Sequence, residues 1–217
     1  MRKEGMKFSV IMPSYLGEYR GAASNRNEKI RRAIDSVLGQ TYQDWELRII
    51  SDGCDKTDQV VRTYADPRIK LTRIEKRPLW CPGVRNRGLA DAQGEFITYL
   101  DIDDYWTDTH LEELSAHVEG IQWGYFNALF YTPRLKGFHE RQVNIDKCST
   151  YGTANIVHRN IRGLYWPEPP RDRSGNYDYG RQDCAFVDEL KKLGKGTKIP
   201  TMGYLVCHEP NLLKIDV

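Results

Sequence analysis

The sequence lacks three features that would each indicate a particular class of protein. Its five cysteines form no C-x-x-C pair, which excludes a zinc ribbon and a thioredoxin-type motif. No run approaches the ~20 apolar residues that a membrane-spanning helix needs, and the first apolar run ends at Pro13, too early for a signal peptide. The odd number of cysteines predicts reduced thiols. We therefore expect a cytoplasmic protein without an integral membrane segment, whose contact with a membrane is at most peripheral.

An excess of charge of either sign is also absent. The 32 Lys and Arg nearly balance the 30 Asp and Glu, so the net charge is only +2, too little to attract DNA or an anionic membrane strongly. We expect no nucleic-acid partner, except a modified base as an acceptor. The length of 217 residues is typical of one domain, and 40% hydrophobic residues are enough to form its core. The sequence therefore predicts a single domain over 1–217.

Strand and helix patterns alternate over about the first 120 residues. Segments with helical spacing of apolar residues separate short β-rich apolar runs, which lie at 8–12, 45–50, 69–74 and 95–100. This alternation predicts an α/β fold with a mainly parallel central sheet covered on both faces, a three-layer α/β/α sandwich. After residue 120 the pattern weakens, and only 182–193 has clear helical spacing. We interpret this second half as a variable lid.

Polar clusters follow three of the predicted strands, at the edge where such sheets bind ligands. The clusters are Pro13-Ser14-Tyr15, Ser51-Asp52-Gly53 and Asp101-Ile102-Asp103-Asp104. Three carboxylates in the last cluster repel one another unless a cation neutralises them, and oxygen ligands suit Mg²⁺ or Mn²⁺. A solvated acidic turn that caps the next helix would account for the same residues. The residues alone leave both interpretations open.

Four motifs, in this order, resemble those of the inverting family 2 nucleotide-sugar glycosyltransferases, which have the GT-A fold. They are VIMPSY at 10–15, QTYQDWE at 40–46 before IISDG at 49–53, RNRGL at 85–89 and GEFITYLDIDDYW at 94–106. Each motif alone is weak, but their joint spacing over the first half of the chain is specific. A fifth motif, GRQDCAF at 180–186, is similar to the family's late acidic motif.

The resemblance implies a site for a nucleotide-sugar donor. The residues implied are Pro13, Ser14, Tyr15, Asp52, Arg85, Asn86, Asp101, Ile102 and Asp103. Tyr15 would lie beside the base, and Asp52 would accept a base N–H, which favours uracil and hence UDP. Core packing would explain Tyr15 equally well, and ordinary turn chemistry would explain Asp52 before Gly53.

The resemblance also implies a divalent cation, Mn²⁺ or Mg²⁺, and a catalytic base. Asp103 is the leading metal ligand, with Asp104 and His208 as further candidates, although a structural role fits His208 as well. The cation would hold the diphosphate as the glycosidic bond breaks. Asp183 is the candidate base because inversion needs a carboxylate on the acceptor side. The family usually has Glu-Asp here, whereas this chain has Gln182 before Asp183.

Two irregular segments carry further candidates. The extended loop at 16–26 has Arg20 and Arg26, which could contact phosphate or only solvate the loop. Aromatic residues in the second half could stack on an acceptor sugar or form a plug under the lid. They are Tyr165, Trp166 and Tyr177.

The predicted function is therefore the transfer of a sugar from a nucleoside-diphosphate donor to an acceptor hydroxyl with inversion. Residues of about 1–120 would bind the donor, and those of about 121–217 a saccharide, a lipid-linked or another acceptor. A non-catalytic module could bind the same donor through Asp52 and Asp103 without using Asp183. A sugar-phosphate nucleotidyltransferase is a further alternative, but the chain has no Gly-rich phosphate loop after its first strand.

Overall fold

The computed structural model describes residues 8–19, 25–78 and 82–207, apart from the side chain of Tyr179. The first half alternates strands and helices as the sequence predicts. Its elements are strand β1 (Phe8–Ser14), helix α1 (Arg26–Leu38), β2 (Trp45–Asp52), α2 (Asp55–Val61), β3 (Ile69–Ile74), α3 (Pro82–Asp91) and β4 (Phe96–Tyr99). Helix α1 begins after Asn25, whose φ of 53° lies in the left-handed region.

Shorter elements follow β4. They are β5 (Tyr105–Trp106), α4 (His110–Ser115), β6 (Trp123–Tyr125), β7 (Ala128–Thr132), β8 (Gly137–Arg141), β9 (Ile156–Arg159), α5 (Gln182–Lys191), β10 (Thr197–Lys198) and β11 (Tyr204–Val206). Strands this short contain too few positions to show an alternating pattern, so after residue 120 the sequence indicated only α5 clearly. Among the described residues, no helix is long and apolar enough to cross a membrane.

The main sheet has seven strands in the order β10-β6-β9-β4-β1-β2-β3. Strand β9 runs antiparallel to both of its neighbours, and every other pair is parallel, which confirms the mainly parallel sheet. The central strands β1, β2 and β4 are almost entirely buried, as expected for strands covered on both faces. Strand β3, which is more polar, forms one edge.

Helices cover both faces of this sheet. The apolar stripe of α1 is completely buried and consists of Ile30, Ala33, Ile34 and Val37. On the other face, α5 contributes Phe186, Val187 and Leu190 to a second buried cluster. Helix α3 also packs closely, because a Cβ at Gly88 would lie 2.5 Å from Ile11 Cγ2. The helices therefore fix the strand ends that carry the polar clusters.

A second sheet of four strands, in the order β5-β11-β7-β8, joins the two halves. Strand β5 follows the acidic cluster directly and pairs with β11 from the last part of the chain. In addition, β6, β9 and β10 extend the main sheet. The second half is thus part of the same layered core, and its interpretation as a lid alone was incomplete.

The structure joins Cys148 to Cys184 by a disulfide, so the prediction of reduced thiols is wrong for this pair. Their Cα atoms are 5.4 Å apart, within the range that a disulfide requires. The pairing was not predictable from the sequence, because the two residues are 36 positions apart and belong to no spacing motif. Cys54 and Cys207 are buried free thiols.

Candidate functional site

The carboxyl ends of three adjacent strands bring the polar clusters to one edge of the main sheet. Strand β1 lies between β2 and β4, with Ser14 opposite Ser51. The Leu100 N–H donates to the Ile11 carbonyl at 3.1 Å and so extends the pairing of β4 with β1. Because these strands are parallel, Tyr15, Asp52 and the turn at 101–104 follow them at the same edge.

Asp52 is buried at the end of β2, and both of its carboxylate oxygens accept from the segment after β3. The Lys76 Nζ donates to Oδ2 at 2.6 Å, and the Arg77 N–H donates to Oδ1 at 2.7 Å. The same ammonium group lies 4.3 Å from the centroid of the Tyr15 ring. Gly53 permits the close approach of the Lys76 backbone, because its φ is +63° and a Cβ there would lie 2.7 Å from the backbone nitrogen of Lys76. Tyr15, Asp52 and Lys76 thus form one cluster. No sequence motif had indicated Lys76.

The loop after β1 folds back on itself through Arg26. Its guanidinium donates to the Gly17 carbonyl, pairs with Glu18 at 3.1 Å and lies 5.3 Å from the centroid of the Tyr19 ring. Arg26 therefore braces the described part of the loop. Arg20, the other cation considered for phosphate, lies outside the described residues.

The acidic turn at 101–104 is supported by two buried residues from distant parts of the chain. The Tyr204 hydroxyl donates to Asp104 Oδ2 at 2.8 Å and accepts from the Asp101 N–H at 3.3 Å. The Arg32 guanidinium donates to the Asp103 carbonyl at 2.5 Å and to the Cys207 carbonyl at 3.1 Å. Asp104 consequently faces the core, whereas Asp101, Ile102 and Asp103 are partly exposed.

The electrostatics of the turn follow from this arrangement. Burial first, and then the neighbouring carboxylates of Asp103 and Asp101, raise the pKa of Asp104 well above its usual range. The hydrogen bond from Tyr204 and the charge of Arg32 oppose this rise. A cation at the exposed side of the turn would relieve the same repulsion.

The donor set of the turn fits a hard divalent cation that keeps most of its shell for other ligands. Its carboxylate oxygens are the ligand type that Mg²⁺ and Mn²⁺ prefer, and such ions take only one or two carboxylates beside phosphate oxygens and water. Among the described residues, no three acidic, histidine or cysteine side chains are arranged to hold a metal ion. His208 lies outside the described residues. The residue before it, Cys207, is held beside the turn by Arg32.

Arg85 and Asn86, at the start of α3, connect the acidic turn to the second half of the chain. An Arg85 nitrogen lies 3.5 Å from Asp101 Oδ1, and the guanidinium is 5.0 Å from the centroid of the Trp166 ring. The Asn86 side chain donates to the Trp166 carbonyl at 2.9 Å and accepts from the Trp166 N–H at 2.7 Å. In this structure Asn86 therefore serves to hold Trp166.

Trp166 is a buried plug. It is 1% exposed and stacks on Phe186 of α5, with ring centroids 3.9 Å apart. Its indole N–H donates to the Tyr99 hydroxyl at 3.1 Å, which also hydrogen-bonds His158 Nε2 at 2.9 Å. Burial lowers the pKa of His158 to about 4, so the imidazole is neutral at pH 7. The remaining aromatic candidates, Tyr165 and Tyr177, are exposed.

Asp183 lies in the first turn of α5, one turn before Phe186. The Thr153 hydroxyl donates to its Oδ1 at 2.6 Å. A series of contacts therefore leads from Asp101 through Arg85, Trp166 and Phe186 to the helix that carries Asp183. Thr153, like Lys76, Arg32 and Tyr204, was not indicated by any sequence motif.

Two curated relatives each resemble about half of the chain. A β-1,3-glucosyltransferase of Escherichia coli, UDP-Glc:alpha-D-GlcNAc-diphosphoundecaprenol beta-1,3-glucosyltransferase WfgD, is 42% identical over 105 residues, 48% of this chain and 38% of its own. The putative colanic acid biosynthesis glycosyl transferase WcaA of Escherichia coli K12 is 36% identical over 122 residues, 55% of this chain and 40% of its own. The chain thus spans well under half the length of these relatives.

Solved structures share the fold over nearly the whole chain. Residues 1–349 of S. aureus TarS in complex with UDP-GlcNAc match with a TM-score of 0.69 and 20% identity, covering 92% of this chain and 58% of that one. The mannosyltransferase PcManGT from Pyrobaculum calidifontis, in complex with GDP-Man and Mn²⁺, has a TM-score of 0.63 and 18% identity, covering 94% and 57%. The GT-A fold expected from the sequence is therefore confirmed.

The family assignment rests on a match over more than half of the chain. The model of the family described as Glycosyl transferase family 2 matches residues 9–166. This range includes the four motifs of the first half, the acidic turn and Trp166. The chain therefore belongs to glycosyl transferase family 2.

Proposed function

We propose that the protein transfers a sugar from a nucleoside-diphosphate donor to the hydroxyl group of an acceptor. The observation that carries this proposal is the convergence of Tyr15, Asp52 and the acidic turn at the ends of three adjacent parallel strands. An aromatic ring can stack on a nucleotide base, and a buried carboxylate can accept an N–H of that base. Acidic oxygens can bind a cation that also binds diphosphate. Family membership and the transferase names of both relatives support it.

The proposed donor is linked to UDP. Uracil offers an N–H between two carbonyl groups, so a carboxylate with an ammonium group beside it complements its edge. Asp52 and Lys76 provide this pair, 2.6 Å apart. The names of WfgD and of the TarS complex mention UDP-sugars, whereas PcManGT is in complex with GDP-Man.

A divalent cation, Mn²⁺ or Mg²⁺, is proposed at the exposed side of the acidic turn. When bound, it would neutralise charge on the departing nucleoside diphosphate. Asp103 is the proposed first ligand, and Arg32 holds its backbone in place. Asp104 is the weaker second candidate, because its Oδ2 already accepts from Tyr204. His208 stays a candidate on the family resemblance alone.

Inversion is proposed to follow from direct attack with Asp183 as the base. The acceptor oxygen forms a bond to the anomeric carbon while the bond from that carbon to the diphosphate oxygen breaks, and the hydroxyl proton moves to Asp183. The nucleoside diphosphate leaves with the bonding electrons. A lipid-linked saccharide is the favoured acceptor, supported by the diphosphoundecaprenol acceptor in the name of WfgD. Such an acceptor would bring the protein to a membrane surface.

Replacement of Asp183 by Asn tests the proposal against a non-catalytic binding module. UDP affinity in the presence of Mn²⁺, measured by calorimetry, should match that of the wild type. Release of UDP, as the sugar is transferred to water or to an added acceptor, should fall by about 10²–10⁴-fold, the usual contribution of a general base. Undiminished turnover would show that Asp183 is not the base, and a wild type that binds UDP but turns over no donor would be a binding module.

A further inference from the structure

The carboxylate of Asp183 is contacted by a short segment that no family motif marks. This segment, residues 148–153, precedes β9 and is here called the Asp183 clamp. We propose that the clamp orients the Asp183 carboxylate for proton transfer, with Thr153 as the positioning residue. The inference rests on the proposed role of Asp183 as the base.

The donor in the clamp is fixed by the main sheet. Thr153 is 3% exposed, and its hydroxyl donates to Asp183 Oδ1 at 2.6 Å. The turn around it is held by Asn155, whose Oδ1 accepts from the Gly152 N–H at 3.1 Å and whose Nδ2 donates to the Phe126 carbonyl at 3.0 Å. Strand β9 follows at once with Ile156. The Thr153 hydroxyl therefore has little freedom to move away from the carboxylate.

The other end of the clamp is tied covalently to α5. Cys148 forms the disulfide with Cys184, the residue directly after Asp183. Close to the second carboxylate oxygen, the clamp has a glycine: a Cβ at Gly152 would lie 3.6 Å from Asp183 Oδ2. The clamp thus engages Oδ1 through a hydroxyl, and Gly152 adds no side chain of its own beside Oδ2. This asymmetry is what a base needs if one oxygen is to be held and the other is to receive a proton.

A hydrogen bond on one oxygen fixes the rotation of a carboxylate base. Errors of about 1 Å in the position of a reacting group can lower a rate about 10²-fold. Loss of the Thr153 hydroxyl should therefore lower the rate of the transfer step.

Other titratable groups around Asp183 stay the same in the variants that test this inference. Tyr151 lies in the clamp, and burial raises its pKa to about 12, with further contributions from Asp188, Asp183 and Asp146. Arg181 precedes Asp183 in the chain, and Lys191 of α5 pairs with Asp146 at 3.2 Å. Because none of these groups is altered, a lower kcat would report on the Thr153 hydroxyl.

The test compares Thr153→Val, which removes the hydroxyl at nearly constant volume, with Thr153→Ser, which keeps it. Turnover of a UDP-sugar is measured as kcat and KM. Thr153→Val should lower kcat at least about tenfold and leave KM for the donor unchanged. Thr153→Ser should retain the wild-type kcat. A wild-type kcat in Thr153→Val would overturn the inference.

Two further variants keep the outcome decisive. Thr153→Ala removes the hydroxyl without adding a methyl group near the carboxylate, so it should show the same loss of kcat if Thr153→Val fails to fold. Asp183→Asn separates the two proposals. If it abolishes turnover while the Val and Ala variants behave like the wild type, the clamp alone is refuted. If it retains turnover, the role of Asp183 as the base fails, and the clamp inference falls with it.

Discussion

Asn86 satisfies both polar groups of the Trp166 backbone, donating from Nδ2 to the carbonyl at 2.9 Å and accepting at Oδ1 from the N–H at 2.7 Å. Trp166 in turn stacks on Phe186 of α5 and faces the guanidinium of Arg85. The first half of the chain is thus fixed to α5 through one buried tryptophan. The Asn of the RNRGL motif has a structural task here, beside the Arg that contacts Asp101.

Replacement of Asn86 by Ala should destabilise the fold by about 1–3 kcal/mol, because it leaves polar groups of a buried residue without partners. The measurement is the free energy of unfolding in urea. Arg87→Ala is the matched control, because Arg87 is exposed on the same helix and forms an i,i+4 ion pair with Asp91. That control should change stability by less than about 0.5 kcal/mol. Equal effects of the two substitutions would contradict the role given to Asn86.

The sequence predicted the main sheet because the pattern that indicates a buried strand lies within a few consecutive residues. Strands buried on both faces leave continuous apolar runs, and β1, β2 and β4 are such strands. The polar clusters at their ends were predictable for the same reason, since parallel strands end at one edge. The supports of these clusters were not, because they come from far along the chain. Lys76 is 24 residues from Asp52, Arg32 is 71 from Asp103 and Tyr204 is 100 from Asp104.

The same limit applies to Asp103 and Asp183, the two carboxylates with a predicted chemical role: the sequence indicated each residue but not the residues that support it. Asp103 was found through a strand-end motif and its support through the structure alone. Asp183 was singled out by the resemblance of GRQDCAF to the family's late acidic motif. Thr153, however, is 30 residues from Asp183, and the disulfide joins cysteines that are 36 residues apart. No periodicity connects residues at such separations. Only the folded chain shows that they meet.

His110 should make the protein sensitive to acid. The imidazole is completely buried against Trp106 and Phe126, and burial lowers its pKa to about 3. In the unfolded chain the pKa is about 6.5, so the unfolded state binds a proton below that pH while the folded state does not. The stability contributed by neutral His110 is therefore complete above about pH 6.5 and falls as the pH is lowered toward 3, by about 1.4 kcal/mol per unit.

His110→Leu removes this titration at similar side-chain volume. The free energy of unfolding in urea, measured at several pH values between 7 and 5, should fall less steeply for the variant than for the wild type. His158 titrates in the same direction in both proteins, because its pKa is lowered to about 4. The exposed His139 provides the control, and His139→Leu should keep the wild-type slope. Parallel curves for wild type and His110→Leu would show that His110 does not contribute.

The disulfide should be detectable by counting thiols. In denaturant, reduction should raise the number of titratable thiols by two, from Cys148 and Cys184. Closing a loop of 36 residues stabilises the folded state by about 3–4 kcal/mol in the chain-entropy model. Reductant should therefore lower the urea midpoint of the wild type but not of a variant with serine at both positions. An unchanged thiol count would show that the two cysteines are not joined.

Base selectivity is predicted to depend on Asp52. Asp52→Asn replaces one carboxylate oxygen by an amide nitrogen, which donates a hydrogen bond. If Asp52 accepts the N–H of uracil, this nitrogen would face a second donor, either that N–H or the Lys76 ammonium group. UDP should lose more affinity than CDP, whose ring nitrogen at the same position is an acceptor. A mismatched donor pair costs about 1–3 kcal/mol, so the ratio of UDP to CDP affinity should fall by at least about fivefold.

Competition calorimetry with UDP and CDP at constant Mn²⁺ measures this ratio directly. Asp55→Asn is the control, because Asp55 is exposed three residues further on and pairs with Arg73 at 2.6 Å. That substitution should leave the ratio at its wild-type value. The ratio is more informative than either affinity, because loss of the Lys76 ion pair would weaken both nucleotides together. If Asp52→Asn lowered both affinities equally, Asp52 would be shaping the pocket through Lys76 and Arg77 and would not be reading the base.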